Sequence, residues 1–182
     1  MQLTSQQALP VSQLIAWGAL NDTEMLKAAI PGCESLQAIG EHEYEVLRTA
    51  AIGPVKAKCK GKLKLSDLQP PESYRIAFEG QGGAAGHGKG SATVRLEPTG
   101  PDATLLHYSA QASVGGKIAQ IGSRLVDMAA QKMAADFFGN FTVALVEKYG
   151  PTPAPVPAVA EARREPEGPI ARFIAWLKRL FG

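Results

Sequence analysis

A long run without proline, residues 117–149, constrains the fold of this chain more than any other part of the sequence. It holds two isolated glycines, Gly122 and Gly139, and apolar residues recur along it at every fourth position. This spacing predicts a single amphipathic helix. Because a row of every fourth residue winds slowly around an α-helix, the apolar stripe suits a helix that lies diagonally across a twisted sheet. The stripe runs through Ile121, Leu125, Ala129, Met133, Phe137, Phe141 and Leu145.

Five runs with the character of strands precede this helix. Turn residues separate them, including Gly53-Pro54, Pro70-Pro71 and a glycine-rich stretch from Gly80 to Gly90. Consecutive strands with such short connections predict an antiparallel meander. Residues 2–9 alternate weakly and are a candidate for an earlier strand. The five runs are 43–52, 55–67, 73–81, 87–97 and 103–114.

Two short helices are predicted before the meander. Pro10 suits the first turn of a helix with the sequence VSQLIAWGAL. Asp22 is a candidate N-cap for a second helix that runs to Ile30, and Pro31-Gly32 then ends it. The fold class is therefore α+β, with an antiparallel sheet, two short N-terminal helices and a long C-terminal helix. In the first helix the side chains expected to face the core are Leu14, Ile15 and Trp17.

The segment 55–65 alternates strictly between lysine and small or apolar residues. Such period-two alternation predicts a strand with one buried face and one solvated face. The lysines permit two interpretations. They form a solvated face balanced by Glu43 and Glu45 on the preceding strand, or they dock an acidic partner or a membrane surface. We call Lys56, Lys58, Lys60, Lys62 and Lys64 the lysine row.

The rows predicted to face inward become rich in small residues towards the ends of the last two strands, as in Ala110 and Ala112. A sheet that curls around a helix with alanine and glycine inside leaves unfilled volume, which in such folds is usually a ligand cavity. The candidate cavity residues are Trp17, Phe78, Val94, Tyr108, Ala110, Ala112, Ile121, Leu125, Met128 and Phe138.

No part of the sequence points to catalysis or to a metal. His42, His87 and His107 are far apart and lack the spacing of metal ligands or of a catalytic triad. Cys33 and Cys59 are predicted to be free thiols in a reducing compartment. The glycine-rich stretch joins two strands and leads into no helix, so it does not suit a nucleotide phosphate. We therefore expect no catalytic residues, no metal site and no covalent cofactor.

Charge and hydropathy indicate where the protein acts. The net charge is +2, and residues 1–149 carry 14 basic and 14 acidic side chains, which argues against a nucleic-acid partner. The N-terminus has no basic segment followed by an apolar run, so no signal peptide is predicted. No stretch is long and apolar enough to cross a bilayer. We therefore expect a cytoplasmic protein.

The last 33 residues differ from the rest of the chain. Residues 150–168 are rich in proline and predict an extended linker. Residues 169–182 predict a short amphipathic helix that lies in a membrane interface. The alternative is that this helix docks on the core or on a partner protein. Its apolar side chains are Ile170, Phe173, Ile174, Leu177, Leu180 and Phe181, with Trp176 at the edge and Arg172, Lys178 and Arg179 opposite.

An ordered series of short motifs covers about residues 1–149 and resembles CoxG, the family of the carbon monoxide dehydrogenase G subunit. The resemblance implies the helix-grip fold of the START/Bet v1-like superfamily, in which a curved antiparallel sheet wraps a long C-terminal helix around a hydrophobic cavity. The linker and tail are similar to those of many members. The motifs are Pro31–Leu36, Gly53–Lys56, Asp67 with Pro70-Pro71, the glycine-rich stretch, Thr104–Tyr108, Val114–Ala119 and Phe137-Phe138.

The resemblance also implies a function. Members of the family are associated with molybdenum hydroxylases of the CO dehydrogenase type, and the family has no established catalytic residues. We expect a non-catalytic protein that binds a quinone or an isoprenoid lipid. It would recruit such a hydroxylase to the inner face of the cell membrane and support electron transfer to quinone. The domains would be 1–149 for ligand binding, 150–168 for the linker and 169–182 for membrane anchoring.

Two alternative functions belong to other classes. One is an enzyme of the polyketide cyclase/aromatase or hydratase type that uses the same cavity, with Tyr108 orienting a carbonyl group. It would need a second polar group inside the cavity, and His107 has the wrong parity to point inward. The other is an assembly scaffold that binds no ligand.

Overall fold

Seven antiparallel strands form one sheet in the computed structural model, which describes residues 1–150 of the chain. Their order across the sheet is β1-β7-β6-β5-β4-β3-β2. The predicted meander and the predicted first strand are thereby confirmed. The proposed linker beyond Gly150 and the proposed tail helix at 169–182 lie outside the described residues. The strands are β1 (Gln2–Leu9), β2 (Cys33–Gly40), β3 (Glu43–Ile52), β4 (Val55–Gln69), β5 (Ser73–Gln81), β6 (His87–Gly100) and β7 (Ala103–Gly115).

The strand β2 was not predicted from the sequence. It lies at the edge of the sheet, and of its residues only Leu36 is buried. Its pairing with β3 shifts register at both ends, between Cys33 and Ser35 and between Ala38 and Gly40. An edge strand that buries one side chain shows no alternation of apolar and polar residues, so period two could not reveal it.

Four helices accompany the sheet in residues 1–150. They are α1 (Gln13–Leu20), α2 (Thr23–Ala29), α3 (Lys117–Gln120) and α4 (Ser123–Tyr149). A short 3-10 turn, Gly83–Ala85, connects β5 to β6. No helix in this part of the chain has the length and hydropathy needed to cross a bilayer.

The start of α1 differs from the prediction. Ser12 is the N-cap, and its hydroxyl accepts a hydrogen bond from the Ile15 amide at 3.4 Å, so Pro10 precedes the helix instead of occupying its first turn. The face towards the sheet consists of Ala16, Ala19 and Leu20. Leu14 is 71% exposed, so its predicted place in the core is wrong. Ile15 and Trp17 pack against the core and are partly buried, as predicted.

The predicted cap of α2 is confirmed. The Asp22 carboxylate accepts hydrogen bonds from the amides of Glu24 at 2.9 Å and Met25 at 3.4 Å. It also accepts one from Lys148 Nζ at 2.7 Å, close to the C-terminal end of α4. One carboxylate therefore caps α2 and ties it to the last turn of the long helix.

The single helix predicted over 117–149 is wrong at its start. The chain forms α3, leaves the helix at Ile121-Gly122 and resumes with α4 at Ser123. Gly122 has φ of 99°, which a residue with a side chain rarely adopts. A Cβ placed on Gly53 would lie 4.0 Å from the side chains of Ile121 and Leu125, so the break brings these two residues to the turn between β3 and β4.

The hydrophobic core lies at one end of the sheet. Phe141 and Leu145 of α4 are fully buried there, together with Leu9, Leu96 and Leu106 from the strands. The rings of Phe137 and Phe141 stack 5.8 Å apart. Towards the other end, Leu125 and Met133 of α4 are 43% and 40% exposed. Packing therefore fixes the C-terminal half of α4 and leaves apolar side chains of its N-terminal half uncovered.

A pair of glycine substitutions tests two backbone positions. Gly86 has φ of 120°, and a Cβ there would overlap the carbonyl oxygen of Gly115. We expect Gly86→Ala to lower the free energy of unfolding by about 2 kcal/mol or more. Gly139 lies within α4 with open space around it. Gly139→Ala should raise the free energy of unfolding by about 0.5–1 kcal/mol. Urea denaturation measures both, and equal effects would contradict the backbone conformation described at these two glycines.

The Asp22 contact predicts a dependence of stability on pH. The hydrogen bond from Lys148 is the main cause that holds the pKa of Asp22 below its ordinary value, and the two amide hydrogen bonds act in the same direction. A carboxyl whose pKa is lower in the folded state stabilises the fold above its unfolded pKa of about 3.9. This stabilisation is lost as the pH falls through the folded pKa.

We therefore expect Asp22→Ala to lower the free energy of unfolding by about 1 kcal/mol at pH 7. The difference between variant and wild type should shrink below about pH 3.9, where the wild-type carboxyl becomes protonated. Denaturation curves at a series of pH values measure it. A difference that stays constant down to about pH 2 would contradict the role of the ionised carboxylate.

Candidate functional site

The inner face of the sheet contains a row of three adjacent glycines. Gly61 of β4 pairs with Gly80 of β5, and position 88 of β6, also glycine, pairs with Gly80. Val46 and Val114 stand at the two ends of this row. A Cβ added at Gly80 would meet only backbone within 4 Å among the described residues. We call Gly61, Gly80 and Gly88 the glycine floor, because no side chain fills the space above its centre.

The next row along the strands carries larger side chains. It runs through Tyr44, Leu63, Phe78, Gly90 and Ala112, which pair in that order from β3 to β7. A Cβ at Gly90 would lie 2.7 Å from Cζ of Phe78, so the Phe78 ring occupies the space over that glycine. This row bounds the glycine floor on the side of the hydrophobic core.

The helix α4 approaches the inner face at separate points. Leu125 lies near the turn at Gly53, and Met133 contacts Arg48 of β3. Further along α4, Phe138 packs against Tyr108 of β7 with ring centroids 5.0 Å apart. The space between the glycine floor and the N-terminal half of α4 is the candidate ligand site, which we call the groove.

The candidate cavity residues fall into three groups in the structure. Phe78, Ala110 and Ala112 are half-buried on the inner face, and Tyr108 and Phe138 form one aromatic pair. Ile121 and Leu125 lie at the end of the sheet near Gly53. The rest lie away from the groove: Val94 is buried in the core, Trp17 packs edge-on against Tyr74 at 5.4 Å beside it, and Met128 is 57% exposed.

Sequence analysis did not single out Arg48, which lies on the inner face. It pairs with Cys33 of β2 on one side and Cys59 of β4 on the other. Its Nη1 lies 2.7 Å from Met133 Sδ, and its Nε is buried with no hydrogen-bond partner in residues 1–150. Burial lowers the pKa of Arg48, but a guanidinium stays charged in proteins. A signal was present, because Arg48 has the same parity in β3 as the inward residues Tyr44 and Val46.

The lysine row lies on the outer face and is largely paired. Lys58 contacts Glu34 at 2.7 Å, Lys60 contacts Glu45 at 3.0 Å, and Lys64 contacts Glu43 at 2.7 Å. Hydrogen bonds from these lysines are the main reason why the pKa values of Glu34 and Glu43 are lowered. These ion pairs favour the interpretation of the row as a balanced, solvated face. Each exposed pair contributes little to stability.

Two open depressions also lie on the outer face. One, of about 290 Å³, includes Lys62, Glu79 and Lys89. The other, of about 300 Å³, includes Arg75 and Thr93. Charged and hydroxyl-bearing walls suit water better than a hydrophobic ligand, so the inner groove is the better candidate site.

The groups suited to catalysis are dispersed. Within residues 1–150, no three His, Cys, Asp or Glu side chains lie together in a way that could hold a metal ion. His107 is on the outer face, with its Nε2 2.9 Å from Glu97 Oε2. Burial raises the pKa of Tyr74 far above its ordinary value, which keeps this hydroxyl protonated. Tyr108 lies against the Phe138 ring.

Comparison with solved structures establishes the fold type. A conserved protein from Geobacillus kaustophilus is 30% identical, with a TM-score of 0.77 over 81% of this chain and 97% of that one. A START superfamily protein from Mycobacterium smegmatis is 12% identical, with a TM-score of 0.64 over 81% and 98%. The ZhuI aromatase/cyclase from Streptomyces sp. R1128 is 9% identical, with a TM-score of 0.61 over 81% and 94%. The predicted helix-grip fold of the START/Bet v1-like type is therefore confirmed.

Comparison of the sequence with protein families leads to the same group as the short motifs. No curated protein matches the chain. The family described as the G subunit of carbon monoxide dehydrogenase (CoxG) matches residues 9–146, which is most of the region that the structure describes. The chain belongs to this carbon monoxide dehydrogenase family, CoxG.

Proposed function

We propose that this protein is a non-catalytic carrier that holds a hydrophobic ligand, a lipid or a quinone, in the groove. The glycine floor is the observation that carries the proposal. Three neighbouring strands present no side chain at this level of the inner face, whereas a packed core would fill the space. Uncovered apolar side chains on α4, such as Leu125 and Met133, supply a wall for an apolar ligand.

Membership of the CoxG family supports a more specific role. The family description names one of the subunits of carbon monoxide dehydrogenase. We infer that the partner is a molybdenum hydroxylase of this type, which the protein recruits to the inner face of the cell membrane from the cytoplasm. A bound quinone would accept electrons there, and no covalent cofactor is needed. The balanced charge of residues 1–149 suits a protein or lipid partner better than nucleic acid.

Two other functions would use the same fold differently. An aromatase/cyclase in the neighbouring structures shows that the fold can carry an enzyme, but at 9% identity the likeness concerns the fold alone. Catalysis in the groove would require a titratable pair within hydrogen-bond reach, and Tyr108 instead packs on Phe138. A scaffold without ligand would leave the space above the glycine floor without a purpose.

Lipid extraction of the purified protein followed by mass spectrometry tests ligand binding. We expect a co-purifying isoprenoid quinone or lipid in about stoichiometric amount. Ala112→Phe, on the inner face beside Gly90, should reduce the amount because the added ring occupies the groove. Ala77→Phe on the exposed outer face is the matched control and should leave it unchanged. Absence of any lipid, or equal retention by both variants, would contradict the carrier function.

We propose that residues 169–182 anchor the protein to the membrane. Six apolar side chains on one face would contribute several kcal/mol at about 25 cal/mol per Å² of buried apolar area. The three basic side chains would each add about 1 kcal/mol on an anionic surface. Ordering so short a helix offsets part of this, so the binding should be reversible.

Removal of residues 169–182 tests the anchor. We expect the truncated protein to remain folded and to keep its ligand, but to stop sedimenting with vesicles that contain anionic phospholipid. Phe173→Glu combined with Leu177→Glu should have the same effect in the full chain, because two charges oppose burial of the apolar face. Vesicle binding by the truncated protein would place the contact elsewhere, with the lysine row as the next candidate. Unfolding would indicate that the tail packs on its own core.

A further inference from the structure

The carboxylates closest to the middle of β3 are occupied on the outer face. Glu34 contacts Lys58 and accepts a hydrogen bond from the Thr49 hydroxyl, and Glu45 contacts Lys60. Arg48 points to the inner face from between these positions. No carboxylate forms an ion pair with Arg48 in the described residues. The positive charge beside the groove therefore lacks a counter-charge from residues 1–150.

The hydrogen-bonding capacity of this guanidinium is also largely unused. An arginine carries five N–H donors arranged to match two oxygens. In residues 1–150, Nη1 of Arg48 donates to the thioether of Met133, which is a weak acceptor, and Nε has no partner. A charged donor that is withdrawn from water without an acceptor is costly, so such a group usually marks a place that a ligand completes.

The two cysteines beside Arg48 do not compensate its charge. Cys33 and Cys59 direct their thiols towards backbone carbonyls, those of Ser35 and Ala57. Burial raises the pKa of the Cys33 thiol, which keeps that group neutral at physiological pH. An anion that pairs with Arg48 must therefore come from outside the described part of the chain.

We propose that Arg48 binds the oxyanion head group, a carboxylate or a phosphate, of an amphiphile whose apolar tail lies over the glycine floor. Arg48 stands one inward position, about 7 Å, along β3 from Val46, which begins the glycine row. The head and the tail of one molecule can therefore occupy neighbouring parts of the inner face. This inference rests on the proposed carrier function and adds the chemical class of the ligand.

Isothermal titration calorimetry of the full chain with matched probes tests this assignment. The probes are dodecanoate, dodecyl phosphate and dodecan-1-ol, which share one tail and differ in the head group. We expect the wild type to bind at least one anionic probe about 10- to 100-fold more tightly than the alcohol. Arg48→Met should remove this preference and keep the affinity for the alcohol. Arg48→Lys should recover only part of the preference, because it lacks the paired donors.

Arg75→Met is the matched control. Arg75 lies on the exposed outer face of β5, 3.7 Å from Asp67, and its loss should leave all affinities unchanged. The comparison of carboxylate with phosphate identifies which head group is preferred. Equal affinity of the wild type for all three probes, or a preference that survives Arg48→Met, would overturn the role of Arg48 and leave the carrier function standing. Failure of every probe to bind would overturn both.

Thermal unfolding provides a second readout that also checks the fold of the variant. Dodecanoate should raise the Tm of the wild type and of Arg75→Met, but not that of Arg48→Met. In the absence of probe, Arg48→Met should unfold cooperatively at a Tm no lower than that of the wild type, because it replaces an uncompensated charge by an apolar chain of similar length. A stabilisation by dodecanoate that is equal in all three proteins would contradict the proposal.

Discussion

The burial of Phe141 and Leu145 determines how the long helix can lie on the sheet. These two side chains are fully covered at one end of the molecule, where α1, α2 and the ends of β1, β6 and β7 form the core. Phe137 and Phe138 extend this packing along α4, and Lys148 adds a tie to the cap of α2. A helix held this firmly at one end has no need to contact the sheet along its whole length. The groove beneath its N-terminal half depends on this unequal packing.

The glycine floor and the break at Gly122 act together on the other half. Without side chains at Gly61, Gly80 and Gly88, the sheet offers little for α4 to pack against there. The left-handed φ of Gly122 separates α3 from α4 and lets the chain turn at the open end. A continuous helix would carry the apolar stripe straight on from residue 117. The turn instead brings Ile121 and Leu125 to the β3–β4 connection.

Charge is divided between the two faces of the sheet around β3. The lysine row and its glutamate partners lie on the outer face, in contact with water, where ion pairs cost little and contribute little. Arg48 lies on the inner face with no acidic partner in residues 1–150, and withdrawal from water makes an unpaired charge unfavourable there. The same alternation of side chains along adjacent strands produces both environments. This division makes Arg48 the polar feature of a groove whose described walls are otherwise apolar and small residues.

Local pattern was enough for much of the fold. Five runs, turn residues between them and the alternation of segment 55–65 predicted the antiparallel meander, and the position of Asp22 before a short helix predicted its role as a cap. The predicted pairing of the lysine row with Glu43 and Glu45 was also found, while the third partner, Glu34, comes from the strand that was missed. Errors occurred where local signals compete. Pro10 suggested a helix start that the Ser12 cap provides, which leaves Leu14 exposed, and a long apolar stripe concealed the break at Gly122.

The sequence by itself determined the period of each segment, the order of the strands and the family, because these depend on residues that are close together in the chain. Only the tertiary structure decided which inward residues meet. Val94 and Trp17 share the parity expected of cavity residues, yet they lie with the packed core because Tyr74 and the C-terminal half of α4 fill the space around them. The glycine floor exists because three strands align Gly61, Gly80 and Gly88 in register. Arg48 has no acidic partner near it in the described residues for the same reason, since strand pairing places the neighbouring carboxylates on the opposite face.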